Sequence, residues 1–181
     1  MLPSQLYSIR KATVCLHPFS LFVQTVTAGM VNVMIRWLHQ EDGDGQFNSR
    51  FFRNDENGEE LMVYADSSSP DFMECAEKCV EAFNNLSEPV INEICKRLIR
   101  CAREGGGINE EFALPALDNA LDILNYCWFV ALYVDMESKD DEIAYAVEGE
   151  GDWGENIGFV INNDSVVYVG ADYLDYMKNV K

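Results

Sequence analysis

The order of apolar patterns along the chain predicts an α+β fold built on a mainly antiparallel sheet. β-type runs occupy the stretch up to residue 65, two helical patterns fill residues 70–104, and β-type runs return from residue 128. Strands and helices segregated in this way indicate α+β rather than an alternating α/β order. Asn57-Gly58 adds a hairpin signal, because both residues tolerate positive φ. Asn162-Asn163-Asp164 supplies a second tight turn between apolar runs, so the C-terminal part reads as a β-meander.

Val31–Leu38 is rich in β-formers and predicts the first strand. Residues 41–45, EDGDG, predict a turn. They are not a calcium loop. An EF-hand beginning at Asp42 requires Gly at its sixth position and Glu at its twelfth, and the chain has Phe47 and Arg53 there. Phe47–Arg53 and Glu60–Ala65 complete a three-stranded meander around Asn57-Gly58. Ser69-Pro70-Asp71 reads as cap, first-turn proline and acid at a helix start. Phe72, Cys75, Ala76, Cys79, Val80, Phe83 and Leu86 recur at three- and four-residue steps, predicting an amphipathic helix over about 70–86. Val90, Ile91, Ile94, Cys95, Leu98, Ile99 and Ala102 predict a second over 88–104, ended by Gly105-Gly106-Gly107. Both are expected on one face of the sheet.

Residues 120–124 carry a short helical pattern. The nearly continuous apolar run Trp128–Val134 predicts a central strand buried on both faces. Ile143–Val147, Ile157–Ile161 and Val166–Val169 predict the remaining strands, and Ala171–Met177 a closing helical turn. Residues 30–181 therefore read as one α+β domain. Residues 1–29 differ in character and read as a poorly ordered appendage or a misassigned start, with translation beginning at Met30. Arg10-Lys11 before an apolar run resembles an export signal only weakly, because His17, Pro18, Ser20 and Gln24 interrupt the run.

The charge excludes some function classes. The chain carries 31 acids and 13 Lys or Arg, for a net charge of -18. Residues 1–40 hold three bases and no acid, so residues 41–181, with ten bases and 31 acids, sum to -21. Such a surface repels nucleic acid and anionic membranes and attracts basic proteins and cations. The six cysteines lack the density of a disulfide scaffold and the histidine neighbours of a zinc site. They read as reduced thiols of a cytoplasmic protein, and no cofactor is indicated.

Familiar catalytic patterns are missing: the sequence has no GxSxG, HExxH or P-loop, and only two histidines. Carboxylates are the remaining source of chemistry. Glu148, Glu150, Asp152 and Glu155 surround Trp153, and residues two apart on a strand share a face. An aromatic beside paired acids would suit a sugar hydrolase or a divalent-cation site.

Residues 141–170, DEIAYAVEGEGDWGENIGFVINNDSVVYVG, resemble the C-terminal signature of an uncharacterised bacterial domain family, W-x-x-E-H-G-x-G followed by a hairpin and V-x-x-V-G. Trp153, Glu155, Gly158, Val166, Val169 and Gly170 carry the likeness, and Asn156 stands where a His is frequent. The resemblance spans about residues 60–175 and implies no established activity. Small acidic proteins of this sort include immunity proteins that neutralise toxins.

The function expected is thus a non-enzymatic interaction module, immunity-type proteins included, that meets a basic partner in the cytoplasm. The candidate face is Asp135, Glu137, Asp140, Asp141, Glu142, Glu148, Glu150, Asp152 and Glu155, together with Trp153. The alternative is a carboxylate-based hydrolase or a cation-binding protein using Glu148, Asp152 and Glu155.

Overall fold

The computed structural model describes residues 34–54, 58–104, 112–135 and 142–179. The expected N-terminal appendage, the Asn57 half of the first hairpin turn, the triple glycine and the acidic stretch 136–141 lie outside the described residues. Asn32–Lys181 form one compact unit. Its seven strands are β1 (Arg36–His39), β2 (Asp44–Asn48), β3 (Glu60–Tyr64), β4 (Cys127–Val134), β5 (Ala144–Gly151), β6 (Glu155–Asn162) and β7 (Ser165–Gly170), and they make one sheet in chain order. Every neighbouring pair is antiparallel except β3 and β4, which run parallel. The protein is α+β: two antiparallel meanders joined side by side. A parallel join needs a crossover of a dozen or more residues. Here it comprises α1 (Phe72–Asn84), α2 (Glu88–Glu104) and a 3-10 turn at Ala120–Asn125.

The helical periodicity was legible in the sequence, and its ends moved by a few residues. Asp71, not Ser69, is the N-cap of α1, and no side chain caps it. Ser69 instead closes the preceding turn through its carbonyl, which accepts from the Phe72 N–H at 3.3 Å. The 3-10 turn has a true capping box. Asn119 Oδ1 accepts from the Leu121 N–H at 3.1 Å, and the Asp122 carboxylate accepts from the Asn119 N–H at 2.9 Å.

The apolar sides of α1 and α2 and the alternating residues of the strands form one core. Its centre is aromatic. Phe52 lies 5.4 Å from Phe83, 5.0 Å from Phe129 and 5.2 Å from Phe159, measured between ring centroids. Phe52 was expected within a strand over Phe47–Arg53. The strand instead starts at Asp44 and ends at Asn48, and the chain then turns inward. Buried Asn84, at the end of α1, stands in for the lost ladder: its Oδ1 accepts from the Arg50 N–H at 2.8 Å and its Nδ2 donates to the Asn48 carbonyl at 2.9 Å. The Arg53 carbonyl then accepts from the Phe129 N–H at 2.8 Å, so the segment rejoins the sheet beside β4.

The second face of the sheet is covered over β5, β6 and β7 by α3 (Tyr173–Asn179), the closing turn the sequence predicted. Ala146, Val160 and Tyr173 form a small separate core there. Stacking of Tyr168 on Tyr176, at 4.7 Å, ties α3 to β7. Trp128, Val130 and Tyr133 of β4 are only half-buried, so this strand is not enclosed on both sides as its apolar run suggested. Position 158 needs glycine because of space. A Cβ there would meet the Tyr173 ring at 2.3 Å and the Val147 carbonyl oxygen at 2.5 Å.

The aromatic centre gives a direct test. Replacing Phe52 by Ala should lower stability by about 3–5 kcal/mol, as large core truncations do. The measurement is urea unfolding followed by tryptophan fluorescence. A loss below about 1 kcal/mol would show that the inward turn at Asn48 does not anchor the core.

Candidate functional site

The expected acidic face is not one surface. Glu142 precedes β5, while Glu150, Asp152 and Glu155 sit at the far end of the β5–β6 hairpin. Glu142 and Glu150 are eight residues apart, or about 26 Å at ~3.3 Å per residue. Glu142, Glu150 and Asp152 are exposed, Asp135, Glu148 and Glu155 are half-buried, and Glu137, Asp140 and Asp141 lie outside the described residues. Trp153 corrects the expectation outright. It is 1% exposed, packs with Phe112 at 6.3 Å, and folds over Gly151, where a Cβ would come within 2.4 Å of its ring. It is a core residue and offers no aromatic platform to the acids.

Glu148 and Glu150 do share the second face, two residues apart on β5. Asp152 falls in the turn and Glu155 opens β6. Among the described residues, the group whose ligating atoms converge within 4.8 Å is His39, Glu41 and Asp42, in the exposed β1–β2 turn. Glu148, Asp152 and Glu155 are not such a group.

A different arrangement appears around Glu148. Register places residues in rows across the second face. One row reads Asp44 on β2, Tyr64 on β3, Tyr133 on β4, Ala146 on β5 and Val160 on β6. The next reads Arg36, Gln46, Met62, Ala131, Glu148, Gly158 and Gly170. Tyr64 and Tyr133 stack with centroids 5.1 Å apart and an interplanar angle of 26°. The Tyr133 hydroxyl donates to Glu148 Oε2 at 2.6 Å. From the other side Tyr173 comes close enough for its phenol to feel the Glu148 charge. Gly158 permits that approach, since only a residue without a side chain lets the Tyr173 ring lie on β6 beside Glu148.

Burial pushes the Tyr133 phenol well above the ordinary tyrosine range, and its hydrogen bond to Glu148 pushes it further. Tyr173 is raised as well, by burial first and by the Glu148 charge second. Tyr64 is raised by burial and then by the charges of Asp44 and Glu148, which bracket it. Each phenol therefore stays a proton donor at any physiological pH.

Sequence reasoning named Glu148 and missed all three tyrosines. Tyr64 and Tyr133 stand at alternate positions to buried Val63 and Leu132, which marks them as facing away from the core. That they neighbour each other follows from the parallel β3–β4 pairing, which no local pattern announces.

The cysteines expected to be reduced are free among the described residues: Cys75, Cys79, Cys95, Cys101 and Cys127. Burial pushes Cys79 and Cys95 up to about 12, so both are held as thiols and are poor nucleophiles. Among the described residues no helix is long and apolar enough to cross a membrane.

The raised phenols carry a linkage consequence. A group that holds its proton more tightly folded than unfolded contributes stability that is complete below the unfolded value, 10.0 for these tyrosines, and is lost as pH climbs through the folded value. The melting temperature should accordingly fall above pH 10. In an ultraviolet tyrosinate titration, Glu148→Gln should bring the Tyr133 and Tyr173 midpoints down only part way, because burial, the larger cause, remains, while Tyr145, raised by burial away from Glu148, keeps its own. Tyr133 and Tyr173 midpoints unmoved by Glu148→Gln would mean that the carboxylate does not engage these phenols.

No match was found among curated proteins or among solved structures. The model of a domain of unknown function (DUF6985) matches residues 33–176, from just before β1 into α3, and the chain belongs to that family.

Proposed function

We propose that the protein is a non-enzymatic interaction module that binds a basic protein through its acidic half. The observation that carries the reading is a charge asymmetry along the fold. From Asp140 to Met177, a stretch containing β5, β6, β7 and most of α3, there are ten acids and no Lys, Arg or His. Lys139 and Lys178 bound this stretch at its two ends, and Lys96, Arg97, Arg100 and Arg103 lie on α2. Arg97 is engaged by Glu93 at 2.7 Å.

A half-domain of one sign focuses its field on an approaching opposite charge, raises the association rate, and makes that rate fall with salt. The exposed tip formed by Glu150, Asp152 and the half-buried Glu155 is where such a partner would first be felt. A cytoplasmic bacterial protein of immunity type, whose partner is a basic toxin, is one form of this reading. The geometry of the carboxylates favours it over hydrolysis. Trp153 is buried and gives Asp152 and Glu155 no aromatic platform, and Glu148 already accepts a hydrogen bond from the Tyr133 phenol.

The experiment is capture from an extract of the native host on immobilised protein at ~50 mM salt, where screening extends over more than about 10 Å. A basic protein should be retained and should elute as salt rises. The triple variant Glu150→Lys, Asp152→Lys, Glu155→Lys should lose it while the circular dichroism spectrum and melting temperature hold. Retention of nothing basic, or equal retention by the triple variant, would remove the reading.

A further inference from the structure

The half-buried part of the second sheet face holds a more specific feature than its charge. On this face α3 packs over β5, β6 and β7, while Asp44, Gln46, Met62 and Tyr64 of β2 and β3 are half-buried. At the boundary, Glu148 accepts from the Tyr133 hydroxyl at 2.6 Å, and Tyr173 of α3 stands close to it on the other side. Beside it lies the Tyr64–Tyr133 stack, and beyond the stack Asp44, opposite Tyr64 across the β2–β3 ladder. Asp44, Tyr64, Tyr133 and Glu148 are all half-buried, so each presents part of its surface outward.

The Tyr133 donor sets the orientation of the Glu148 carboxylate. A carboxylate accepts about four hydrogen bonds. One phenol leaves most of that capacity open, on a group that cannot swing away without breaking the bond. The stacked rings beside it offer negative π-faces to a cation. Two carboxylates bracketing an aromatic pair are complementary to a planar cation. Such a cation can accept the carboxylate edge-on and lie along a ring. Among side chains only arginine does both, since guanidinium pairs with carboxylate bidentately and stacks on aromatic faces, while lysine is a strongly hydrated point charge.

We infer that Glu148, with the Tyr64–Tyr133 stack and Asp44, seats an arginine side chain of a basic partner protein. The inference rests on the reading of the protein as an acidic interaction module and names the place where that module gains specificity. Distant acids would draw the partner in, and this face would hold one of its arginines.

The test uses the full chain and two probe peptides with neutral flanks, one containing a pair of arginines and one a pair of lysines. Binding is followed by calorimetry and by the ring resonances of Tyr64 and Tyr133. The arginine peptide should bind more tightly than the lysine peptide and shift both rings. Glu148→Gln and, separately, Tyr133→Phe should each weaken it about tenfold, the loss expected for one charge-assisted hydrogen bond. Both substitutions keep side-chain shape, and an unchanged melting temperature at neutral pH confirms that the fold persists. Glu77→Gln with Glu81→Gln, two exposed acids on α1, should leave binding as it was.

Equal affinity for the two peptides, or equal losses from the α1 variant and from Glu148→Gln, would overturn the arginine seat. So would a wild-type dimer in sedimentation that Glu148→Gln dissolves, because the face would then belong to a second copy. The wider reading fails differently. Capture would then yield no basic partner at all, whereas failure of the seat alone leaves capture intact and sensitive only to the Glu150, Asp152 and Glu155 reversal.

Discussion

The parallel pairing of β3 with β4 is the constraint on which the rest of the molecule depends. It consists of three register positions, Met62 with Ala131, Val63 with Leu132 and Tyr64 with Tyr133. Two meanders that could each stand as a sheet edge are fused there into one sheet of seven strands. Because the strands run the same way, the chain must return from one end of the sheet to the other between them, and α1 and α2 lie on that return. A slip of one residue would turn Val63 outward and Tyr64 inward, exchanging a fully buried valine for a phenol in the aromatic core. Correct register does two things at once: it closes the core beneath the helices, and it sets Tyr64 beside Tyr133 on the other side.

The two faces solve different packing problems. The helix-covered face is filled by large rings and leaves two buried polar atoms, the Tyr145 hydroxyl and Trp153 Nε1, with no hydrogen-bond partner among the described residues. Each such orphan costs about 1–3 kcal/mol. Burying an indole of some 150–250 Å² at ~25 cal/mol per Å² contributes roughly 4–6 kcal/mol, so volume outweighs the lost bond at Trp153. The second face is floored with small residues where α3 sits: Ala146, Gly158 and, beside them, Ala131. Their smallness lets Tyr173 approach β6 and reach Glu148. Packing on that side thereby builds a polar arrangement, where the first face excludes one.

The sequence was readable wherever structure is set by neighbours along the chain. The 3.6-residue period gave α1 and α2, and the Asn162-Asn163-Asp164 turn was evident from residue types, with Asn163 at φ 52 as a type tolerant of positive φ would allow. Gly58, at φ 68, answers the hairpin signal in the same way. Reading failed where distant segments decide. Phe52 leaves its strand because Asn84, over thirty residues later, takes up the backbone groups that the ladder drops. Gly158 carries no local signal of which partner it admits, and that partner is a ring from α3. Trp153, set among acids in sequence, seemed to belong on the surface with them. Its two neighbours Asp152 and Gly154 are indeed exposed, but a turn residue can point inward, and this one finds Phe112.

The carboxylates show how charge and site can separate. By count, acidity is the chain's plainest feature, and local reading gathers the acids of 135–155 into one surface. Folding distributes them: Glu142 goes to one end of β5 and Glu150 to the other, too far apart to act on one group when screening sets in at about 8–10 Å. Acids arranged this way can only act through their summed field, which attracts without discriminating. Discrimination needs a charge held in a fixed direction, and Glu148 is the acid of that set that a phenol, Tyr133, holds, with Tyr173 close by. Its importance comes from Tyr133 and Tyr173, which reach it from a different strand and from a helix. That is why an inventory of acids could include Glu148 without distinguishing it from the rest.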